Sequence, residues 1–210
     1  MTPRRQSLFA ILVVLVACRD VAAPPNAPAV ADLQVSWPSP AAMRLLRQAA
    51  AAPALQTYQV SFWACDGEAS TVTVNYQPVA GESVGQPFLR FDILKNGLVT
   101  GPGDVRLKRG DSLFITLTID PVTFAVDFQP SGVWFSHGLP AHLTIWYENA
   151  DPDLNGDGVV DATDQMLQQQ IALWGRAENA PWVRLLSDND PTLPSVSTVL
   201  HHFSEYAVSW

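Results

Sequence analysis

The sequence has few basic residues for its length. It contains 12 Lys and Arg against 20 Asp and Glu in 210 residues, a formal net charge of −8 at pH 7. Nucleic acids and anionic lipid surfaces attract proteins with basic patches. We therefore expect no nucleic-acid partner.

Long apolar runs are also missing. The N-terminal run LFAILVVLVA covers residues 8–17, which is well short of the roughly 20 residues that a membrane-spanning helix needs. Arg4 and Arg5 precede it. A short basic region followed by an apolar run of this length is typical of a secretory signal peptide. The sequence thus predicts an exported protein that loses residues 1–17.

The apolar run ends in Leu15-Val16-Ala17-Cys18, which resembles the bacterial lipobox, Leu-x-Ala/Gly-Cys. In that class the cysteine thiol is acylated and becomes the first residue of the mature protein. The resemblance implies a membrane attachment through lipid on Cys18. Arg19, in place of Asp, implies sorting to the outer membrane or cell surface. The alternative is an ordinary signal peptide with a coincidental cysteine.

Cysteine is scarce, with two in the sequence, Cys18 and Cys65. A lipid on Cys18 would leave Cys65 without a partner in the chain. Because Cys65 ends the apolar run VSFWAC, we expect it to be a small buried apolar side chain. An exported domain without a disulfide depends on its hydrophobic core, and 48% of the residues are hydrophobic.

Residues 18–56 are rich in Ala and Pro, as in VAAPPNAPAVADL. Such a composition favours an extended chain that packs poorly. We interpret this segment as a disordered tether and place the folded domain at residues 57–210.

From residue 58 onward, short runs rich in Val, Thr, Ile and aromatic residues alternate with turns. The turns contain Gly, Pro, Asn or Asp, and FITLTID and VTFAVDFQ alternate apolar with polar residues. Alternation of this kind predicts antiparallel strands with one face packed. The fold class predicted is all-β, an antiparallel β-sandwich. The runs are YQVSFWAC, STVTVNYQPV, PFLRFDIL, SLFITLTI, TFAVDFQP, LTIWYE, WVRLL and SVSTVLHHFSEYAV.

Four stretches carry a resemblance to a known domain: FLRFDILKNGLV, VTFAVDFQPSGVWFSHGLPAHLTIWY, APWVRLL and HHFSEYAVSW. In this order, residues 88–210 resemble the β-sandwich domain shared by ankyrins, netrin receptors and zonula occludens proteins, and above all its bacterial extracellular relatives. The family's turn has Pro where this sequence has Leu94. The resemblance implies an interaction or structural module without a catalytic centre.

One segment, residues 151–164, has the spacing of an EF-hand calcium loop. Oxygen-bearing side chains at loop positions 1, 3, 5, 9 and 12, a glycine at position 6 and a backbone carbonyl at position 7 suit a hard cation such as Ca²⁺. The predicted ligands are Asp153, Asn155, Asp157, Val159, Asp161 and Asp164, with the glycine at Gly158. The alternative is an acidic turn that binds nothing.

The segment DLNGDGVVDATDQMLQQQI also resembles half of a type I dockerin. The second half of a dockerin is absent from the sequence, so cohesin binding is not expected. Two structures fit the residues after the loop: a dockerin-like helix over residues 162–174, or a short helix over 162–167 followed by a strand over 168–175. We favour the second.

Catalytic constellations are missing. The four histidines (His137, His142, His201 and His202), together with Ser136 and Ser204, lack the spacing of a metal site or nucleophile elbow. Outside the calcium loop we find no carboxylate pair in an apolar frame, as a glycosidase requires. A hydrolase is therefore disfavoured.

The tryptophans leave two interpretations open. We expect most of Trp63, Trp134, Trp146, Trp174, Trp182 and Trp210 in the core, with Trp134 and Trp174 the ones to check for exposure. The function expected is a non-enzymatic, lipid-anchored extracytoplasmic module that binds one structural calcium ion in adhesion, envelope structure or protein recognition. The alternative is a carbohydrate-binding or accessory module of a polysaccharide-degrading system. The ligand, protein or glycan, is not identified by the sequence.

Overall fold

The computed structural model describes residues 19–20, 44–177 and 180–210. The fold is all-β with antiparallel sheets and one short helix, as predicted. The helix is α1 (Ala162–Gln168). The strands are β1 (Arg19–Asp20), β2 (Gln59–Cys65), β3 (Ser70–Asn75), β4 (Pro87–Ile93), β5 (Leu98–Gly101), β6 (Val105–Arg106), β7 (Asp111–Ile119), β8 (Ala125–Gln129), β9 (Trp134–Phe135), β10 (Ala141–Trp146), β11 (Ala172–Arg176), β12 (Val183–Arg184), β13 (Asp188–Asp190), β14 (Ser195–Leu200) and β15 (Glu205–Ser209).

Two large sheets form the sandwich. Sheet 1 has the order β2-β7-β8-β15-β11-β12, with β1 pairing in parallel with the start of β7. Sheet 2 has the order β13-β14-β10-β4-β3, and a small third sheet is formed by β6-β5-β9. The alternation of side chains along a strand decides which residues face the core. On β7, Leu113, Ile115 and Leu117 point inward and are fully buried.

Aromatic rings join the two sheets at the centre of the core. The ring of Phe91 on β4 lies 4.6 Å from that of Phe128 on β8 and 5.8 Å from that of Phe203. Phe135 and Tyr206 complete the cluster. Tilted and edge-on contacts at such distances stabilise a core beyond the burial of area. Residues from three separate stretches of the sequence therefore meet in one aromatic cluster.

Most of the tryptophans lie at the edge of the core rather than inside it, contrary to expectation. None of the six within the described part of the chain is fully buried, and Trp63 and Trp134 are 46% and 47% exposed. The position of each tryptophan along its strand explains why it does not point into the core. Trp63 alternates with the buried Ala64 and lies opposite Phe114 on the outer face of sheet 1, while Phe, Leu and Ile fill the inward positions.

The segment before β2 is packed against the domain rather than extended away from it. Leu45, Leu46 and Leu55 are buried. The Leu46 backbone donates to the Val208 carbonyl (2.9 Å) and accepts from the Phe124 amide (3.1 Å). Residues 44–56 thus belong to the sandwich, because their leucines supply apolar area that the Ala/Pro composition obscured. Most of the remaining predicted tether, and the whole signal peptide, lie outside the described residues.

Cys65 is disulfide-bonded and half-buried, so the expectation of a partnerless, buried thiol is wrong. Cys65 lies opposite Ser112 at the end of β2, in the same outward register as Trp63. A side chain on the outer face at the end of a strand can be reached by another chain segment, whereas a side chain in the core cannot. The other cysteine of the sequence, Cys18, lies outside the described residues.

The ambiguous region after the acidic loop is a short helix followed by a strand. The helix α1 ends at Gln168 and β11 begins at Ala172, with Trp174 on the strand. A helix over residues 162–174 is excluded because Ala172, Leu173 and Gly175 pair with β15 inside sheet 1. The favoured interpretation, a short helix followed by a strand, is therefore confirmed, although the strand begins at Ala172, four residues later than predicted.

Candidate calcium loop

The predicted calcium loop connects the two sheets. It follows β10 of sheet 2 and leads through α1 into β11 of sheet 1. Leu154 packs against the core. Asn189 on β13 donates to the Gln168 carbonyl at the end of α1 (2.9 Å) and accepts from the Tyr147 hydroxyl (2.8 Å). The loop is thus held at both ends by the sandwich.

Asp153 organises the first half of the loop. Its Oδ1 accepts from the amides of Gly156 (2.8 Å) and Asp157 (3.2 Å), and its Oδ2 accepts from the amide of Gly158 (2.8 Å). Three donors from successive residues require the backbone to curl around the carboxylate. Gly158 permits this with φ of 87°, a left-handed conformation that other residues adopt only at a cost.

Asn155 and Asp157 lie side by side within this curl. The Asn155 amide group donates to Asp157 Oδ2 (2.8 Å), and Asn155 Oδ1 accepts from the Asp157 backbone amide (2.9 Å). Asp157 Oδ1 accepts from the Val159 amide (2.9 Å). These three positions therefore point their oxygens along the inside of one turn.

Asp164 closes the loop. Its Oδ1 accepts from the amides of Leu154 (2.8 Å) and Asn155 (3.1 Å), and its Oδ2 accepts from the amide of Asp161 (2.9 Å). Asp161 in turn accepts from the Thr163 amide, which completes a capping box at the start of α1. The backbone hydrogen bonds, first of all that from Asp161, lower the pKa of Asp164. This carboxyl is therefore ionised across the physiological pH range.

The donor set suits calcium in chemistry. Carboxylate, amide and carbonyl oxygens are hard ligands, and Ca²⁺ takes six to eight of them. Among the residues that the structure describes, no group of three or more His, Cys, Asp or Glu side chains is arranged to hold a metal ion. The calcium hypothesis also uses the Asn155 amide and the Val159 carbonyl.

The histidines do not assemble into one site in the described ranges. His137 lies beside His201, with ring centroids 4.9 Å apart, while the ring of His202 contacts Trp134 at 5.0 Å. His142 lies on β10 opposite Asp92. Ser204 donates to the backbone carbonyl of Arg176. This contact gives Ser204 a structural role.

A carboxyl pair that we did not expect lies on the outer face of sheet 1. Asp127 on β8 is the cross-strand partner of Glu205 on β15, and Asp127 is 4% exposed. Burial, reinforced by the charge of Glu205, raises the pKa of Asp127 to about 6, against a hydrogen bond from Gln129 that lowers it. The sequence gives no signal for this pair, because only the pairing of β8 with β15 brings the two carboxyls together.

No protein-family model, curated protein or solved structure matches this chain. Within the described ranges, no helix combines the length and the apolar character that crossing a bilayer demands.

Proposed function

We propose that this protein is an exported, lipid-anchored, non-enzymatic β-sandwich module whose acidic loop binds one structural Ca²⁺. Its role on this proposal is adhesion, envelope structure or protein recognition. The observation that carries the proposal is the loop itself, in which Asp153, Asn155 and Asp157 line one turn and Asp164 closes it.

Electrostatics supports a cation in this loop. Asp151, Asp153, Asp157, Asp161 and Asp164 lie within a short segment. Like charges at such spacing repel one another, and a divalent cation would convert this repulsion into attraction. Because the loop joins the two sheets, calcium there would stabilise the connection between them. Extracellular Ca²⁺ sites of this type are filled even at weak affinity.

Calcium is expected to raise the melting temperature of the protein. At a Ca²⁺ concentration roughly tenfold above Kd, mass action stabilises the folded state by about 1.4 kcal/mol, which corresponds to roughly 3–6 °C for a domain of this size. Differential scanning calorimetry after chelation, with and without millimolar Ca²⁺, measures this shift. We expect Asp157→Ala to abolish it.

Asp188→Ala is the matched control, since Asp188 is an exposed aspartate on β13 outside the loop. The calcium-dependent shift should survive in this variant. A chelated wild type whose melting temperature does not respond to Ca²⁺ would contradict the calcium proposal.

The lipid anchor is supported by the basic region, the apolar run and the lipobox at residues 15–18. The disulfide at Cys65 provides a test of this anchor. A disulfide within the chain would have to use Cys18, and one sulfur atom cannot form both a lipid thioether and a disulfide. Mass spectrometry of the native protein should show an N-terminal peptide that begins at Cys18 and carries lipid. Recovery of a Cys18–Cys65 linked peptide without lipid would overturn the anchor.

A second function, carbohydrate binding in a polysaccharide-handling system, is favoured by one observation. Trp63 and Trp134 expose nearly half of their surface, and exposed indole rings are suited to stacking against the apolar faces of sugars. Exposed large apolar groups on a folded domain often mark binding sites.

A further inference from the structure

A cleft of about 660 Å³ opens on the outer face of sheet 1, where β8, β15 and β11 meet the loop before β9. This volume lies within the range of small-molecule sites. Its lining includes Asp127, Gln129, Trp134, Arg176, His202 and Glu205. None of the predicted calcium ligands lines this cleft.

Three charged side chains form a row along one wall. Glu205 is the cross-strand partner of Asp127 on one side and of Arg176 on the other. The neighbouring Phe128 amide bonds to the Ser204 carbonyl (3.3 Å). Asp127 and Glu205 therefore form a non-hydrogen-bonded pair, the kind whose side chains lie closer together.

Both carboxyls keep one oxygen available. Asp127 Oδ2 accepts from the Gln129 amide group (3.0 Å), and Glu205 Oε2 accepts from Arg176 Nε (2.8 Å). In the described residues no hydrogen bond reaches Asp127 Oδ1 or Glu205 Oε1. A ligand hydroxyl in the cleft would be able to donate to either of these oxygens.

An aromatic ring also lines the cleft. Trp134 is 47% exposed, and His202 packs against it with 5.0 Å between ring centroids. The buried Tyr206 hydroxyl donates to the His202 carbonyl (2.5 Å). Trp134 is therefore held in place by a residue that the core fixes, and its exposed surface is available to a ligand without rearrangement.

We propose that this cleft binds one ring of a neutral oligosaccharide, with Trp134 stacking on the apolar face of the sugar and Asp127, Glu205 and Gln129 hydrogen-bonding its hydroxyls. The inference rests on the carbohydrate-binding function proposed above and assigns it a site.

The charges in the cleft favour a neutral sugar over an acidic one. The two carboxyls outnumber Arg176 and repel an acidic sugar. The Arg176 guanidinium donates from two of its nitrogens to one oxygen of Glu205, and this ion pair offsets much of its attraction for an anion. Hydroxyl groups, which donate and accept without charge, meet none of these penalties.

Isothermal titration calorimetry on the full mature chain tests the site. The probes are cellohexaose and mannohexaose as neutral ligands, with a galacturonate hexamer as the acidic comparison. We expect at least one neutral hexaose to bind and the acidic hexamer not to bind. Trp134→Ala should weaken binding about tenfold or more, the effect of losing one aromatic stacking contact.

Trp63→Ala is the matched control, because Trp63 is as exposed as Trp134 but lies on β2 and does not line the cleft. This variant should bind as the wild type does. Asp127→Asn gives a second measurement that keeps the side-chain shape, and we expect it to weaken binding as well.

The other possible results separate a failure of the cleft from a failure of carbohydrate binding as a whole. Binding that is lost in Trp63→Ala and kept in Trp134→Ala would overturn the cleft and leave carbohydrate binding standing at another surface. No binding of either neutral hexaose would overturn both. Preferential binding of the acidic hexamer would overturn the neutral-ligand assignment. None of these results affects the calcium proposal, which is tested by calorimetric melting.

Discussion

Replacing Phe91 by alanine is expected to lower the free energy of unfolding by about 3–5 kcal/mol, the usual cost of deleting a buried phenylalanine ring. Phe91 is 1% exposed, and its ring contacts those of Phe128, Phe135 and Phe203. Because these rings come from both sheets, the cavity would lie at the sandwich centre, where no backbone can move in to fill it. The total free energy of unfolding of such a domain is about 5–15 kcal/mol, so the variant should be close to unfolding at 37 °C.

Phe114→Ala is the matched control for this prediction. Phe114 lies on β7 but is only half-buried on the outer face, with its ring 5.0 Å from that of Trp63. We expect a loss of roughly 1–2 kcal/mol. Urea denaturation of the two variants measures both values. Equal losses would mean that the Phe91 cluster is not the centre of the core.

The second large effect is a pH-dependent stabilisation by Asp127→Asn. The folded state holds the pKa of Asp127 at about 6, above its ordinary value of 3.8, so between these values the folded protein binds more protons than the unfolded chain does. Stability then falls as pH rises, at about 1.4 kcal/mol per pH unit. The wild type should therefore lose about 2–2.5 kcal/mol between pH 4 and pH 7 through this group.

The asparagine variant lacks this titration. Its free energy of unfolding should exceed that of the wild type by roughly 3 kcal/mol at pH 7, and the difference should shrink toward pH 4. The groups facing Asp127 are Gln129 on its own strand, Glu205 on β15 with its partner Arg176, and Thr118 on β7. Of these, Glu205 carries the charge that favours protonation of Asp127.

Urea denaturation from pH 4 to pH 8, in the presence of a calcium chelator, measures the difference. Asp188→Asn on exposed β13 controls for a general effect of removing one acidic group. If the Asp127→Asn and wild-type curves run parallel across this range, Asp127 does not titrate near pH 6 in the folded protein.

Strand content could be predicted from the sequence because the period of two is local. In β7 every second side chain from Leu113 to Ile119 is apolar and buried, and the turns are marked by glycine and proline. The acidic loop could be predicted for a similar reason, since its oxygens and its glycine are spaced within one short segment. The hydrogen bonds of Asp153 and Asp164 join residues of that same segment.

Features that depend on which strands pair could not be predicted. Trp63 and Trp134 are as apolar as core residues, and only register places them on the outside. Leu45 and Leu46 lie in an Ala/Pro-rich stretch, and their burial depends on contact with β15 and the residue before β8.

The sequence by itself thus determined an acidic, all-β chain with one acidic loop of Asp, Asn and Gly, because each of these properties depends on residues that are neighbours in the sequence. Tertiary structure alone decided the bonding of Cys65, the outward tryptophans and the Asp127–Glu205 pair. The physical reason is that pairing between distant strands sets which side chains share a face. A carboxyl next to another carboxyl, with little access to water, acquires a pKa that neither residue has alone.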